Sequence, residues 1–268
     1  MATINTNIAS LNAQRNLAAS ANSLSTSMSR LSSGMRVNSA KDDAAGMAIA
    51  ERMNTQTRGM NVAIRNSNDA ISLAQTAEGS LSAISNNLQR MRELAVQASN
   101  GTNTAADIQT LDAEYQLLLQ ENARVITTSK FNGKDIIPAA ATTFTFQVGA
   151  NTGDTIDVPA EGVVLTATGL GVDTATANGQ LALLDADINT VSSARSNWGA
   201  AQNRFESVIT NLRVGAENSA ASRGRIMDAD YALETANLSR SQVLQQAGMA
   251  MVSQANQSPQ SVLALLRQ

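Results

Sequence analysis

The chain has 268 residues, 43% hydrophobic and 15% charged, with 19 basic against 22 acidic side chains and a formal net charge of −3. His and Cys are both absent, which removes imidazole bases, thiolate nucleophiles, zinc and iron–sulfur sites and disulfides together, so the chain is not read as an enzyme and no metal or cofactor is expected. Without a basic cluster no nucleic-acid partner is expected. Without an apolar run of roughly 20 residues no membrane insertion is expected either.

Aromatic residues make up 3% of the chain and Pro occurs at 138, 159 and 259 only. Two long helical arms around a short middle follow from that spacing. In the first arm Ile4, Ile8 and Leu11 run at steps of four and three, and after a phase slip Leu17, Ala21, Leu24, Met28 and Leu31 continue the pattern, which predicts a helix over 4–32 ended by Gly34. Beyond Met53, apolar or small residues recur at Met60, Ile64, Ile71 and Ala74, then at Ala77, Leu81, Ile84, Leu88, Met91, Ala95 and Ala98. This is the seam of a coiled coil, and a helix that long needs partners along its length.

Ser99, Asn100 and Gly101 end that helix, and Thr104 with Asp107 marks the next start. Ile108, Leu111, Tyr115, Leu118 and Val125 continue the seam on a third helix that folds back antiparallel on the second. The period then falls to two at Phe144, Phe146 and Val148, with turn residues over 149–154 before Thr155, Ile156, Asp157 and Val158, which reads as one β-hairpin. Residues 160–180, rich in Gly, Thr and Ala, are expected to be a mobile linker or lightly packed loop. Leu181, Leu184, Ile188, Val191, Trp198, Phe205, Val208 and Leu212 restore the heptad, and Leu233, Leu244, Ala247, Met251, Val262, Leu265 and Leu266 form one face of a last arm. The fold class is mostly α: an elongated, discontinuous coiled-coil or helical bundle of N- and C-terminal arms, with one small β-hairpin between them.

Charge distribution sets the ends apart. No residue between Arg240 and Arg267 is charged, and the first 29 residues contain only Arg15, whereas a helix exposed on a soluble monomer normally carries charge on its outer face. The apolar surface the two arms can offer each other falls short of the entropy of ordering them. We therefore expect the arms to be disordered in the free chain and to fold when many copies bury them together, through a polymerisation core of Ile4, Ile8, Leu11, Leu17, Leu24, Met28, Leu31, Leu244, Met251, Val262, Leu265 and Leu266.

Other features have plain readings. Lys41, Asp42 and Asp43 suit a helix start or a subunit salt bridge. Asp228 and Asp230, two apart on a helix, diverge rather than share a ligand. The Met residues read as adaptable packing, and the Thr-rich middle as strand propensity or sites for O-linked sugars.

The segments LSSGMRVNSAKDDAAGMAIAER (31–52) and SQVLQQAGMAMVSQANQSPQSVLALL (241–266) resemble bacterial flagellin, over about residues 1–137 and 181–268. The resemblance implies a terminal-helix inner core of 1–40 with 232–268, a coiled-coil outer core of 41–137 with 181–231, and a surface segment of 138–180 in place of larger exposed domains. It implies a hollow helical homopolymer for swimming, exported unfolded through the flagellar type III apparatus. This agrees with a start, MATINTNIASLNAQRN, that lacks the features of a cleavable signal peptide; the expected location is extracellular, in the flagellum. The implied partners are other copies, the cap and hook-associated proteins, and an export chaperone on 233–266. The motif QRMRELAVQ (89–97) looks like the patch contacted by a host Toll-like receptor, with Arg90, Leu94 and Glu114 at the matching positions. From the residues alone, Arg90, Arg92 and Glu93 form an exposed face with short-range ion pairs. A hook–filament junction protein or another type III secreted helical protein is the alternative reading.

Overall fold

A computed structural model describes residues 6–265, with side chains through residue 257. Among the described residues the order is α1 (Ile8–Ser33), α2 (Ala44–Ala98), α3 (Ala105–Thr128), β1 (Lys130–Phe131), β2 (Lys134–Asp135), β3 (Thr142–Gln147), β4 (Thr155–Ala160), α4 (Thr174–Met227) and α5 (Tyr231–Leu265). The chain packs as two units, Met1–Thr55 with Asn218–Gln268 and Gln56–Glu217, to both of which α2 and α4 contribute.

In the first unit, Asn7 caps α1 by accepting from the Ser10 N–H at 3.1 Å. Gly34 ends it in the left-handed region at φ +70°, donating its N–H to the Arg30 carbonyl at 2.8 Å; a side chain there would be strained. The next residues are zipped to the α4–α5 turn. Arg36 donates its N–H to the Met227 carbonyl at 2.6 Å, Ala229 donates to the Gly34 carbonyl at 2.9 Å, and the Arg36 guanidinium donates to the Ile226 carbonyl at 2.8 Å. Asp43 caps α2 through the Gly46 N–H (2.8 Å), and Asp230 caps α5 through the Ala232 N–H (2.9 Å). The acidic residues of 42–43 and 228–230 thus act on backbone: Asp42 takes the Asn38 and Ser39 N–H groups, and Asp228 bridges to Met35.

The second unit holds a continuous apolar core. Along α2 the buried residues Ala70, Ala74, Ala77, Leu81, Ile84, Leu88, Met91, Ala95 and Ala98 alternate steps of four and three, as a supercoiled seam requires. Thr104 and Asp107 form a reciprocal capping box that starts α3. Cross-links between Asn87 and Asn122 and between Arg90 and Glu114 set α3 antiparallel to α2. Contacts of Arg92 with Asp185, Glu78 with Arg195, and Met60 with Gly215 set α4 antiparallel to α2 as well.

Three features differ from the sequence reading. There are two hairpins, not one: Asn132 (φ 49°) and Gly133 (φ 79°) make a two-residue turn with both residues left-handed, joining β1 to β2, the turn that matches strand twist. The second hairpin pairs β3 with β4 in the register Phe144↔Val158 and Phe146↔Ile156. It lays Phe144 on Trp198 at 6.1 Å and Phe146 edge-on to Phe205 at 5.3 Å.

Second, residues 163–170 are packed, not a loose linker: Val163, Ala167 and Leu170 are buried. Asp187, 1% exposed, accepts from the N–H groups of Thr166 and Ala167 at 2.9 Å and from the Thr166 hydroxyl, while Gln180 accepts from the Thr168 N–H and Asp112 from the Leu170 N–H. The segment is short of large apolar groups, and the buried Asp187 and Gln180 with the half-buried Asp112 hold its backbone instead. Third, α4 begins at Thr174, capped by Asp173 on the Thr176 N–H at 2.7 Å. Gln180 and Asp187 therefore take inner positions that the heptad reading gave to Leu181 and Ile188, which are half-buried.

Candidate functional site: an assembly surface

The ends of the chain meet as an antiparallel pair, α1 against α5. Asn7 donates to the Ala255 carbonyl at 2.7 Å, the Ser10 hydroxyl to Asn256 at 2.8 Å, and the Tyr231 hydroxyl to the Leu31 carbonyl at 3.3 Å. A Cβ on Gly248 would stand 3.1 Å from Leu17 Cδ1, so the helices approach closely at that point.

The seam is lean and polar. On α1 its buried members are Ser10 and Ser27, with Leu17, Leu24 and Leu31 half-buried. On α5 they are Glu234 and Ser241, with Leu238, Gln245, Gly248, Val252 and Ala255 half-buried at heptad steps. A groove of roughly 500 Å³ opens along it, lined by Ser20, Ser23, Thr26, Ser27, Arg30 and Asn237 among others. Glu234 is nearly buried, and its closest cation, Arg30, stands 3.9 Å away. Arg30 Nε is buried without a hydrogen-bond partner. A half-satisfied polar contact of this kind adds little cohesion.

Many of the larger apolar side chains of the same helices face outward instead of into the seam. Ile8, Leu11 and Met28 on α1 are 61%, 54% and 57% exposed. On α5, Leu233, Val243, Leu244, Met249 and Met251 are each half or more exposed. Of the sequence-assigned core, Ile8, Leu11, Met28, Leu244 and Met251 thus lie on the outer surface, and Leu17, Leu24 and Leu31 line the seam. Ile4 and Leu266 lie outside the described residues, and Val262 and Leu265 outside the described side chains. A run of exposed apolar groups on helices with almost no charge marks a surface made for contact.

In the second unit, Arg90 donates to Glu114 and to Glu93, both at 2.9 Å, and Arg92 to Asp185 at 2.7 Å. Hydrogen bonds to Glu93 and then Glu114 raise the Arg90 pKa, and the bond to Asp185 raises that of Arg92. Leu94 does not share that surface: it is 1% exposed, inside the core. Its position beside the α2 seam turns it inward in the single chain, unlike Arg90 and Glu114, with which the sequence reading grouped it. Tyr115 is fully buried with its hydroxyl unpartnered, and burial, reinforced by Asp187 and Asp112, pushes its pKa far up. Among the described residues no group of His, Cys, Asp or Glu side chains could hold a metal, and no helix is long and apolar enough to cross a membrane.

A first helix paired with the last, in a chain that also carries a multi-helix core, defines a class of mainly α-helical proteins assembled from both ends of the chain. Residues 4–142 match the bacterial flagellin N-terminal helical region and residues 181–266 the bacterial flagellin C-terminal helical region. A flagellin of Halalkalibacterium halodurans is 46% identical over 98% of this chain and 99% of its own length, and one of Bacillus subtilis is 40% identical over the same shares. The crystal structure of Bacillus cereus flagellin superposes with a TM-score of 0.52 at 35% identity, over 59% of this chain and 94% of that one. The chain belongs to the bacterial flagellin family.

Proposed function

We propose that this chain is a structural subunit that polymerises into the flagellar filament, an extracellular appendage, and that α1 and α5 are the surfaces completed by neighbouring copies. One observation carries this: the two helices meet through a polar, lightly filled seam, while Ile8, Leu11, Met28, Leu244 and Met251 stand exposed where hardly any charge accompanies them. Such a surface gains most by burial against more of the same. The role is architectural and needs no cofactor. Relatives that are flagellins over nearly their full length favour this over a hook–filament junction protein, which would assemble in small numbers.

In this reading the inner core of 1–40 with 232–268 packs radially, the outer core of 41–137 with 181–231 packs along the filament, and 138–180 decorates the surface. Arg90 and Glu114 form part of the axial contact, open to a host Toll-like receptor only on the free subunit. Export through the flagellar type III route with a chaperone on 233–266, and growth under a cap beyond hook-associated proteins, complete the reading. The test is electron microscopy of purified chain after adding filament seeds. Unlimited elongation is expected, with none after deletion of residues 1–30; filaments from the truncated chain, or only small closed oligomers from the intact one, would refute it.

A further inference from the structure

The methionines are unevenly placed. Of those among the described residues only Met60 and Met91 belong to the second unit, and both are buried; all others fall in the unit built from the chain ends. Within that unit Met28, Met249 and Met251 are 57%, 53% and 63% exposed. Leu244 and Met251 stand seven residues apart and so share one flank of α5. No charged residue lies between Arg240 and Arg267 to hydrogen-bond a new polar group on that flank.

We propose that the thioethers of Met28, Met249 and Met251 are a peroxide-sensitive modification site that takes the free subunit out of assembly. This rests on the self-assembly reading above and adds a regulation to the same surface. In the step, the O–O bond of hydrogen peroxide breaks and one oxygen bonds to sulfur as the sulfoxide. The thioether gives up two electrons, and the remaining oxygen leaves as water. The product is polar and chiral where an apolar, adaptable side chain stood, and burying it against a neighbouring copy then carries a desolvation cost that the thioether did not. Solvent access directs the oxidant to these three ahead of Met35, which is 37% exposed, while packing shields Met60 and Met91. The oxidation stops at the sulfoxide, which methionine sulfoxide reductases reverse.

The test treats the full chain with graded hydrogen peroxide, maps sulfoxides by peptide mass spectrometry and follows seeded elongation. Oxygen is expected first at Met28, Met249 and Met251 and last at Met60 and Met91, with elongation falling at least tenfold at a dose that leaves far-ultraviolet circular dichroism unchanged and recovering after reductase treatment. The same peroxide applied to finished polymer should spare those three residues. A chain carrying M35L, M47L, M53L and M227L should stay as sensitive as the parent. Undiminished elongation of chains with sulfoxide at all three positions, early oxidation of Met60 or Met91, or resistance of the fourfold variant would overturn the proposal. Failure of untreated chain to elongate would instead remove the self-assembly reading and this proposal with it.

Discussion

In the unit spanning Gln56–Glu217, large side chains such as Leu81, Leu88, Tyr115 and Phe205 are fully buried, whereas in the unit of the chain ends Ile8, Leu11, Leu244 and Met251 are mostly in solvent. The first arrangement is complete within one molecule: three long helices close on each other, and most polar groups drawn inside are partnered, as at Asp187 with Thr166 and Ala167 or Asn122 with Asn87, the Tyr115 hydroxyl being an exception. The second has a seam in which half-buried Leu17, Leu24, Leu31, Leu238 and Val252 alternate with Ser, Gln, Gly and one loosely engaged Arg30–Glu234 pair. Helical periodicity alone does not separate the two, since both follow heptad steps. The direction in which the bulky members point, and how much charge accompanies them, does.

That contrast can be broken from either side. The largest expected effect is on the second unit: Phe205→Ala removes a fully buried ring that meets Phe146 edge-on. It should cost about 3–5 kcal/mol in denaturant unfolding. Asp187→Ala strands the Thr166 and Ala167 N–H groups and should cost about 2–3 kcal/mol, with faster proteolysis of 163–170.

On the chain ends stability and assembly should part. Leu244→Asp should leave monomer stability within about 0.5 kcal/mol, as for an exposed position, yet stop seeded elongation. A loss of several kcal/mol there would mean that the single chain already buries this face. A smaller effect sharpens the comparison at a helix end, where Thr104→Ala, which breaks the capping box, should cost about 1 kcal/mol.

The smallest is a pH effect at the same box. The Thr104 hydroxyl and then its N–H hold the Asp107 pKa below the ordinary 3.8. The folded value is the lower one, so the box contributes fully above the ordinary value and loses its contribution as pH falls through the folded pKa. Asp107→Asn should flatten that part of a stability–pH curve.

Much of this was legible in the residues. The steps from Ala74 to Ala98, the Gly34 stop, the Thr104–Asp107 start and the Phe144/Phe146 alternation each carry a local physical requirement that the folded chain meets. What stayed hidden was tertiary. Asn132-Gly133 carries a hairpin signature that could have been read, but the strands it joins are two residues each and have no period of their own. Asp187 and Gln180 sit in a heptad where polar residues argue for a surface, and only a distant backbone lacking apolar side chains gives them reason to be inside. Leu94, next to the buried Ala95 and two residues from the exposed Arg92, turns inward because both 94 and 95 border the seam. The unusual character of α1 and α5 was legible through their missing charge, since a helix exposed on a soluble monomer normally carries charge on its outer face.

Amide hydrogen–deuterium exchange on dilute subunit and on seeded polymer tests the central claim most directly. Protection over Ile8–Ser33 and along α5 through residue 257 should rise by orders of magnitude on polymerisation, while the buried stretch of α2 from Ala70 to Ala98 changes little. Equal protection of the terminal helices in both states would contradict the account, because those helices would then be complete without a neighbour.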